Sequence, residues 1–330
     1  MVLKGKKVLV TGADGFIGSH LVEGLLEQGA RAKAFCYYNA FNSWGWLDSF
    51  EKEKLAEIEI FMGDVRDPFC VKEAMKDVEV VFHLAALIGI PYSYQAPESY
   101  VATNINGTLN ILQAARERKV DNIIITSTSE VYGTAVSVPM DENHPLKAQS
   151  PYAATKIAAD QLALSCYRTF DLPVKIARPF NTYGPRQSAR AVIPTIITQI
   201  MCGKEGIGLG NTRPTRDFTY VKDTVSGLIA IAQSDALFGE VTHIGMNQEI
   251  SIGDLAARIA KLLDKKFHIR QDLQRVRPEK SEVDRLVCDN TKIFRHTSWI
   301  PKYDLEKGLL ETIGWMQGNP NLYKAEVYNV

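Results

Sequence analysis

Residues 7–20 read KVLVTGADGFIGSH, and this stretch decides the fold. Lys7 to Thr11 is a short apolar run typical of a buried strand. Ile17 to Gln28 has the pattern of a helix, and Gly29 is placed to end it. A strand that turns directly into a helix at the start of a chain indicates the first unit of a dinucleotide-binding sheet.

The turn between strand and helix carries three glycines with the spacing G-x-x-G-x-x-G. Gly12 permits the tight bend, Gly15 lets backbone N–H groups approach a diphosphate, and Gly18 lets helix and strand pack closely. The start of the helix adds unpaired N–H donors and partial positive charge, both of which favour an anion. The turn therefore predicts a site for the diphosphate of a dinucleotide.

The alternation of strand and helix continues through the first half of the chain. Further strands are predicted at 32–37, 58–62, 78–83, 122–127 and 174–177, and long helices at 104–118 and 152–170. Strands joined by helical crossovers form right-handed βαβ units. We therefore expect an α/β fold with a doubly wound parallel sheet of the Rossmann type.

The pattern changes after Pro179. Irregular segments are expected there, with loops around 184–185 and 206–216, followed by helices at 221–233, 252–263 and 305–316 and a strand at 241–244. We predict that residues 1–178 form the dinucleotide-binding domain and that 217–247 return to its sheet. Residues 179–216 and 248–330 are predicted to form a smaller C-terminal α/β domain that binds the substrate.

Composition excludes several classes of protein. Lys plus Arg and Asp plus Glu both number 38, so a nucleic-acid binder that relies on bulk charge is not expected. No apolar run reaches the roughly 20 residues of a membrane span, and the N-terminal residues lack a signal-peptide pattern, so neither a membrane partner nor export is expected. The five cysteines are scattered without zinc-site spacing, so we expect no metal. These features predict a cytoplasmic protein.

The second strand bears on the choice of dinucleotide. An acid at its end normally binds the ribose 2′-hydroxyl of NAD. That position falls near Cys36, within 35–39, where neither an acid nor an arginine stands. A carboxylate would repel the 2′-phosphate of NADP, so its absence slightly favours NADP over NAD. Asp64, with Val65 at the end of the third strand, is placed to accept from the amine of the adenine.

A catalytic pattern follows the fifth strand. Tyr152 and Lys156 are four residues apart, which places them on one face of the helix at 152–170. A nearby ammonium lowers the pKa of a phenol, and such a tyrosine can take a proton from a sugar hydroxyl while hydride passes to a nicotinamide. Thr128, at the end of the strand, is placed to hydrogen-bond the same oxygen.

Over nearly its whole length the chain resembles the extended short-chain dehydrogenase/reductase family. The resemblance is carried by TGADGFIGSH, GDVRD, HLAA, TNINGTLNIL, TSTSEVYG, YAATK, RPFNTYGP, RDFTYVKD and RPEKSEVDR. It implies that Thr128, Tyr152 and Lys156 are catalytic and that the chain forms a homodimer through a four-helix bundle of 104–118 and 152–170. The resemblance also implies a set of dinucleotide contacts. They are the three glycines of the turn with Asp14, Phe16, Ile17, Tyr38, Asp64, Val65, Leu84, Ala85, Ala86, Asn104, Tyr152 and Lys156.

Glu130 narrows the reaction within this family. Members that remove the C5 proton of the sugar carry a glutamate here, so Thr128-Ser129-Glu130 resembles a 4,6-dehydratase or a UDP-glucuronate decarboxylase. Relatives of the dTDP-glucose type have an aspartate where Ser129 stands. Residues 39–47, 186–190 and 209–211 look most like dehydratases that act on N-acetylglucosamine nucleotides in the legionaminic and pseudaminic acid pathways.

We therefore expect a UDP-linked N-acetylglucosamine as substrate and a tightly bound NAD or NADP that is regenerated in each turnover. The alternatives are the decarboxylase, a 5-epimerase/4-reductase of the same pathways, and a non-catalytic dinucleotide-sensing regulator. The nucleotide base, UDP or GDP, stays open. Arginine forks match phosphate oxygens, and the expected substrate contacts are Ser93, Asn181, Arg186, Arg190, Arg216 and Arg277.

Overall fold

The computed structural model describes residues 1–204 and 206–324, and a parallel sheet organises the first 250 of them. The strands are β1 (Lys7–Thr11), β2 (Arg31–Tyr37), β3 (Glu59–Gly63), β4 (Val80–His83), β5 (Asn122–Thr126), β6 (Val174–Pro179), β7 (Asn181–Tyr183), β8 (Gly206–Leu209), β9 (Thr215–Arg216), β10 (Phe218–Tyr220), β11 (Val241–Ile244), β12 (Ile250–Ser251) and β13 (His268–Gln271). Seven of them pair in the order β11-β6-β5-β4-β1-β2-β3, every pair parallel.

Helices cover both faces of this sheet. They are α1 (Phe16–Glu27), α2 (Lys52–Ala56), α3 (Pro68–Ala74), α4 (Ile90–Gln95), α5 (Pro97–Tyr100), α6 (Gly107–Arg118), α7 (Pro151–Phe170), α8 (Val192–Met201), α9 (Val221–Gln233), α10 (Ile252–Leu262), α11 (Thr291–His296) and α12 (Leu305–Gly318). One large apolar cluster joins the sheet to α1, α8, α9, α10 and α12, and another joins it to α3, α6 and α7. This confirms the predicted doubly wound Rossmann sheet.

The strand order fixes the place of the site. The chain runs outward from β1 to β3, then crosses back to β4 and continues in the other direction. In such sheets, ligands bind at the carboxyl ends of the strands, where the order reverses, here between β1 and β4. β11 extends the sheet beside β6, which places part of 217–247 on it; the division of the chain into two domains stays a prediction.

The segment after Pro179 is less irregular than expected. It contains α8, whose sequence VIPTIITQIM is buried at eight of ten positions. Thr195, Thr198 and Gln199 share one face of this helix, but all three are buried, and its β-branched residues have low helix propensity. Propensity therefore gave no signal for a helix here, and the expected loop at 206–216 likewise contains β8 and β9.

The helix expected to begin at Asn104 also differs from its prediction. Residues Val101–Asn106 form a π-helix, and α6 begins only at Gly107. Single π-turns of this kind are frequent at functional sites. Within residues 1–204 and 206–324, no helix is both long enough and apolar enough to cross a membrane.

Candidate active site

Thr128, Ser129 and Glu130 lie directly after β5, as predicted. Thr128 caps a short 3-10 helix, Ser129–Tyr132, and its hydroxyl accepts a hydrogen bond from the Glu130 N–H at 3.2 Å. Ser129 is buried. The cap turns the chain at the carboxyl edge of the sheet, so that Thr128 and Glu130 stand at the site.

Tyr152 and Lys156 lie in the first turns of α7. Ser150 caps this helix by accepting from the Ala153 N–H at 3.1 Å, and Pro151 occupies its first position. A serine cap stabilises a helix by about 1 kcal/mol, and proline is pre-set for the first turn. Both catalytic side chains are buried, and the Tyr152 hydroxyl hydrogen-bonds Thr128.

The electrostatics of the phenol differ from the sequence prediction. Burial raises the pKa of Tyr152, and its hydrogen bond with Thr128 lowers that pKa without offsetting the burial. The Lys156 ammonium donates to the Thr126 carbonyl at 2.7 Å, and burial lowers the pKa of Lys156. Lys156 is not among the groups that lower the pKa of Tyr152, and burial of the hydroxyl raises that pKa, which is the opposite of the lowering expected from Lys156.

Glu130 is close enough to Tyr152 and Arg216 to act electrostatically on both side chains. Its carboxylate acts on Tyr152, whose pKa it helps to raise, and on the buried Arg216, whose charged form it favours. Arg216 donates to the Thr215 carbonyl at 2.9 Å and lies 3.6 Å from Glu282. The fold thus brings the predicted base, the catalytic phenol and one predicted phosphate ligand into one site.

Two further predicted substrate ligands have buried polar atoms without a hydrogen-bond partner among the described residues. Nη1 of Arg277 and Oδ1 of Asn181 are buried and have no hydrogen-bond partner within the described part of the chain. Arg277 also lies 3.8 Å from Glu282, which links it to Arg216. A cavity of about 170 Å³ beside it is lined by Pro91, Tyr94, Gln95, Gln274, Arg275, Val276, Arg277 and Pro278. A bound nucleotide diphosphate would satisfy these groups.

The remaining predicted substrate ligands are less well placed. Arg190 is exposed and lies over Gly89, where a Cβ would come within 3.1 Å of its Nη1. The Ser93 hydroxyl is buried and donates to the Ile90 carbonyl at 2.6 Å within α4. The hydroxyl of Ser93 is therefore used within α4, and its predicted contact with the substrate stays a prediction.

The structure pairs Arg186 with a carboxylate of the protein, away from the cavity beside Arg277, so its predicted contact with the substrate is not supported. Its guanidinium donates to Glu23 on α1 at 2.8 Å, and it lines a cavity of about 630 Å³ with His20, Lys222 and Trp315. None of the predicted catalytic residues lines this cavity. The partner is 163 positions away in sequence, so the spacing of RQSAR could not reveal it.

The glycine turn fits a dinucleotide diphosphate. Gly12 has a φ of +69°, and a Cβ on it would come within 2.9 Å of the Ala85 nitrogen. A Cβ on Gly18 would lie 2.0 Å from the Gly12 carbonyl oxygen. α1 begins at Phe16 and Ile17 with Gly15 as its cap, no side-chain cap and no acid in its first turn. Because no side chain caps them, the first N–H groups of α1 are available to bind an anion.

Thr11 fixes the segment that faces this turn. Its hydroxyl accepts from the N–H groups of Leu84 and Ala85, each at 3.1 Å, and bonds His83 Nδ1 at 2.8 Å. His83 also bonds Thr108, and burial lowers its pKa to about 3, so it is a neutral core residue as expected. Ala86 continues the same segment toward Leu87.

Asn104 braces the site from the π-helix. Its amide accepts from the Leu87 N–H at 2.9 Å, and donates to the Leu87 carbonyl and to the Thr155 hydroxyl, both at 3.0 Å. Thr155 lies between Tyr152 and Lys156 on α7. Asn104 thus joins the segment after β4 to the catalytic helix, which agrees with a supporting role.

The ends of β2 and β3 show two differences from the sequence prediction. Both carboxylate oxygens of Asp64 are paired with Arg66, which also reaches the Tyr37 hydroxyl at 3.4 Å. The Asp14 carboxylate accepts from the Tyr37 N–H at 3.3 Å. An acid and an arginine therefore stand near the end of β2 after all, supplied by other segments. Val65 is buried and Tyr38 is exposed.

Sequence patterns did not single out two supporting groups. Asp160 and Arg178 form a buried ion pair at 2.7 Å that holds α7 against β6. Gln149 donates to the carbonyls of Lys280 and Glu282, at 3.0 and 2.9 Å, and so ties the segment before α7 to the segment that carries Arg277. Arg178 begins the RPFNTYGP segment, but Asp160 and Gln149 lie outside the motifs, so only the three-dimensional contacts reveal these partners. No group of metal-ligating side chains occurs among residues 1–204 and 206–324.

Comparison with known proteins agrees with this geometry. The family model described as GDP-mannose 4,6 dehydratase matches residues 9–312. A dTDP-glucose 4,6-dehydratase of Actinoplanes sp. is 32% identical over 95% of this chain and 98% of its own length. A UDP-N-acetyl-alpha-D-glucosaminuronate decarboxylase of Bacillus cytotoxicus is 34% identical over 94% of this chain and 98% of its own.

A solved structure is similar over the same extent. The dTDP-glucose 4,6-dehydratase DesIV from Streptomyces venezuelae, solved with NAD bound, superposes with a TM-score of 0.85 at 28% identity. The match covers 96% of this chain and 99% of that one.

Proposed function

The chain belongs to the GDP-mannose 4,6-dehydratase family of extended short-chain dehydrogenase/reductases, and from this premise we propose that it is a nucleotide-sugar 4,6-dehydratase. We propose a UDP-linked N-acetylglucosamine as its substrate and a 4-keto-6-deoxy sugar nucleotide as its product. That product would enter the synthesis of a nonulosonic acid of the legionaminic or pseudaminic type.

The position of Glu130 carries this proposal. Its segment follows β5 directly, and its carboxylate is close enough to Tyr152 and to Arg216, a guanidinium suited to a diphosphate, to act electrostatically on both. A simple exchange of configuration at C4 needs no second base. A carboxylate beside the phenol supports a reaction that also removes the proton at C5.

The side chains of the chain divide the work. Tyr152 takes the proton of the C4 hydroxyl, and Thr128 holds the same oxygen. A ketone at C4 acidifies the neighbouring C5–H, and Glu130 removes that proton. The C6 hydroxyl leaves as water, protonated by Glu130 itself or through a water near Ser129, and a C5=C6 double bond forms. The hydride removed from C4 in the first step would be held by the bound dinucleotide and would return to C6 while C5 regains a proton, which would give the 4-keto-6-deoxy sugar. Without that return the product would be the 4-keto-5,6-ene.

The glycine turn and the bare start of α1 support a bound nicotinamide dinucleotide. Gly12, Gly15 and Gly18 would hold its diphosphate, and Lys156 and Tyr152 would face its nicotinamide half. When bound, it supplies reversible hydride transfer at the sugar. Because it ends each turnover in its starting state, we expect it to stay bound. The DesIV relative binds NAD; the slight sequence preference for NADP is revised below.

The substrate nucleotide would bind along Arg216, Arg277 and Asn181. The buried Nη1 of Arg277 and Oδ1 of Asn181, which have no hydrogen-bond partner in the described part of the chain, support this position. Arg190 would close the site from its exposed edge. The N-acetylglucosamine assignment comes from the resemblance of 39–47, 186–190 and 209–211 to dehydratases of that class, and the nucleotide base is what the experiment below would establish.

The test is to incubate the purified protein separately with UDP-N-acetylglucosamine, GDP-N-acetylglucosamine and UDP-glucuronate, and to read products by mass spectrometry. Loss of one water from an N-acetylglucosamine nucleotide, without net consumption of dinucleotide, is the expected result. Inertness toward both N-acetylglucosamine nucleotides would overturn the substrate assignment.

A decarboxylase is the second candidate, and two observations favour it. Thr128-Ser129-Glu130 also occurs in decarboxylases that make UDP-xylose, and the Bacillus cytotoxicus relative is named as a decarboxylase of a glucosaminuronate nucleotide. Loss of carbon dioxide from UDP-glucuronate, or from the N-acetylglucosaminuronate nucleotide added as a fourth substrate, would move the assignment there. Turnover of any of these substrates would exclude a purely regulatory dinucleotide sensor.

We also propose that the protein works as a homodimer in the cytoplasm. The helices expected to form the four-helix bundle are α7 and α6 with the π-helix before it. The outer face of α7 offers Ala154, Gln161 and Ser165 to solvent, and small residues of this kind allow a second helix to approach closely.

A further inference from the structure

The glycine turn lies directly against the end of β2. The N–H groups of Gly12 and Ala13 both donate to the Phe35 carbonyl, at 3.0 and 3.3 Å. The Asp14 carboxylate then accepts from the Tyr37 N–H, where β2 ends. In dinucleotide-binding sheets, this corner holds the ribose of the adenosine half.

The loop after β2 holds Asp14 in place. Gly45 has a φ of +62°, and a Cβ on it would come within 2.5 Å of the Asp14 carbonyl oxygen. The Trp46 N–H donates to that oxygen at 2.9 Å. Asp14 is therefore fixed from both sides, so its carboxylate is a built feature of the corner.

Formal charge at the corner is negative. Asp14 and Asp48 both act electrostatically on the Cys36 thiol, in the position where the acid was missing from the sequence. Asp64 adds a third carboxylate from β3, and the Arg66 guanidinium offsets that one in a bidentate pair. Among residues 1–204 and 206–324, no cation pairs with Asp14 or Asp48. A 2′-phosphate at this corner would therefore face two carboxylates that are not neutralised, whereas ribose hydroxyls can donate to them.

We propose that Asp14 replaces the missing acid of β2 and makes the protein select NAD over NADP. This inference rests on the proposed dinucleotide cofactor and names its class. It revises the slight preference for NADP, because that preference depended on the absence of an acid near Cys36. The acid is present, but it comes from the glycine turn, 22 positions earlier.

The test compares the wild-type protein with Asp14→Asn. Each is incubated with equal concentrations of NAD and NADP until the bound ratio no longer changes, and the bound dinucleotide is then released by acid and quantified by mass spectrometry. The wild-type protein should hold NAD in excess. Asp14→Asn keeps an oxygen for the Tyr37 N–H but loses the charge, so the ratio of NAD to NADP should fall by about tenfold.

Glu57→Gln is the matched control, because Glu57 is an exposed carboxylate at the C-terminal cap of α2 and its loss should leave the ratio unchanged. Total bound dinucleotide and the melting temperature verify that Asp14→Asn is folded. A wild-type excess of NADP, or an unchanged ratio in the folded variant, would overturn the inference. The measurement uses no sugar nucleotide, so failure of the proposed reaction and failure of this selectivity are separate results.

Discussion

Glu130 is the residue on which the proposed dehydration depends. Glu130→Gln keeps the shape of the side chain but cannot accept the C5 proton, so we expect turnover to fall by about 10²- to 10⁴-fold, the usual contribution of a general base. Bound dinucleotide should stay at the wild-type level, because Glu130 belongs to the segment after β5 and not to the glycine turn. Product formation by mass spectrometry and released dinucleotide measure the two effects; full turnover by the variant would remove the basis for elimination.

Thr128 controls the acidity of the catalytic phenol. Burial raises the pKa of Tyr152, so the phenolate that acts as base becomes populated only as the pH rises, and kcat/KM should rise with pH through this titration. The hydrogen bond from Thr128 lowers that pKa. In Thr128→Val we expect the midpoint of the rise to move to higher pH by roughly one unit, the equivalent of one net hydrogen bond.

Thr128→Ser keeps the hydroxyl and should restore the wild-type midpoint. The pH profile of kcat/KM for the three proteins distinguishes a change in acidity from a loss of folded enzyme, since the latter lowers the rate at every pH alike. A common midpoint in all three would show that Thr128 does not act on the phenol.

At the scale of elements, the packing of α1 on β1 depends on Gly18. Alanine there would place a Cβ 2.0 Å from the Gly12 carbonyl oxygen, so the helix or the turn must shift. We expect Gly18→Ala to lose dinucleotide binding and to lower the free energy of unfolding by about 1–3 kcal/mol. Gly314→Ala in α12 is the contrast: nothing lies within 4 Å of the new Cβ, and alanine should raise that free energy by about 1 kcal/mol.

Released dinucleotide and denaturant unfolding of the two variants provide the comparison. Retention of dinucleotide by Gly18→Ala would mean that the turn can open without cost. A destabilised Gly314→Ala would show that α12 has a neighbour which the chain alone does not reveal.

Elements with a distinctive local sequence pattern could be predicted from the sequence. β1 and α9 lie at their predicted bounds, and α7 differs by a single residue, because strong apolar runs and a Ser-Pro start define them. α8 was missed because its many β-branched residues have low helix propensity. The same limit applies at the site: Thr128, Glu130 and Tyr152 follow from motifs, but the contacts of Asp14 with Tyr37, and of Arg186 with Glu23, depend on how distant segments meet.

At the scale of the whole molecule, the proposed homodimer depends on the exposed face of α7. Ala154, Ala158, Gln161 and Ser165 recur at intervals of four, three and four residues, so they form one stripe along the helix. Two of them are alanine and one is serine, and such a stripe permits close approach of a second helix. The catalytic Tyr152 and Lys156 lie buried on the opposite side of the same helix. Dimerisation through α7 would therefore hold this helix in place from the side opposite to Tyr152 and Lys156.

Ser165→Arg tests this arrangement. A bulky charge at the C-terminal end of the stripe cannot be buried between two helices without a partner, so we expect the protein to change from dimer to monomer. Ser137→Arg, on the exposed loop after β5, is the matched control and should stay dimeric. Light scattering after size-exclusion chromatography gives the mass of each. If Ser165→Arg has the mass of the wild-type assembly, α7 is not the interface, and the rigidity of Tyr152 and Lys156 depends on the Asp160–Arg178 pair within one chain.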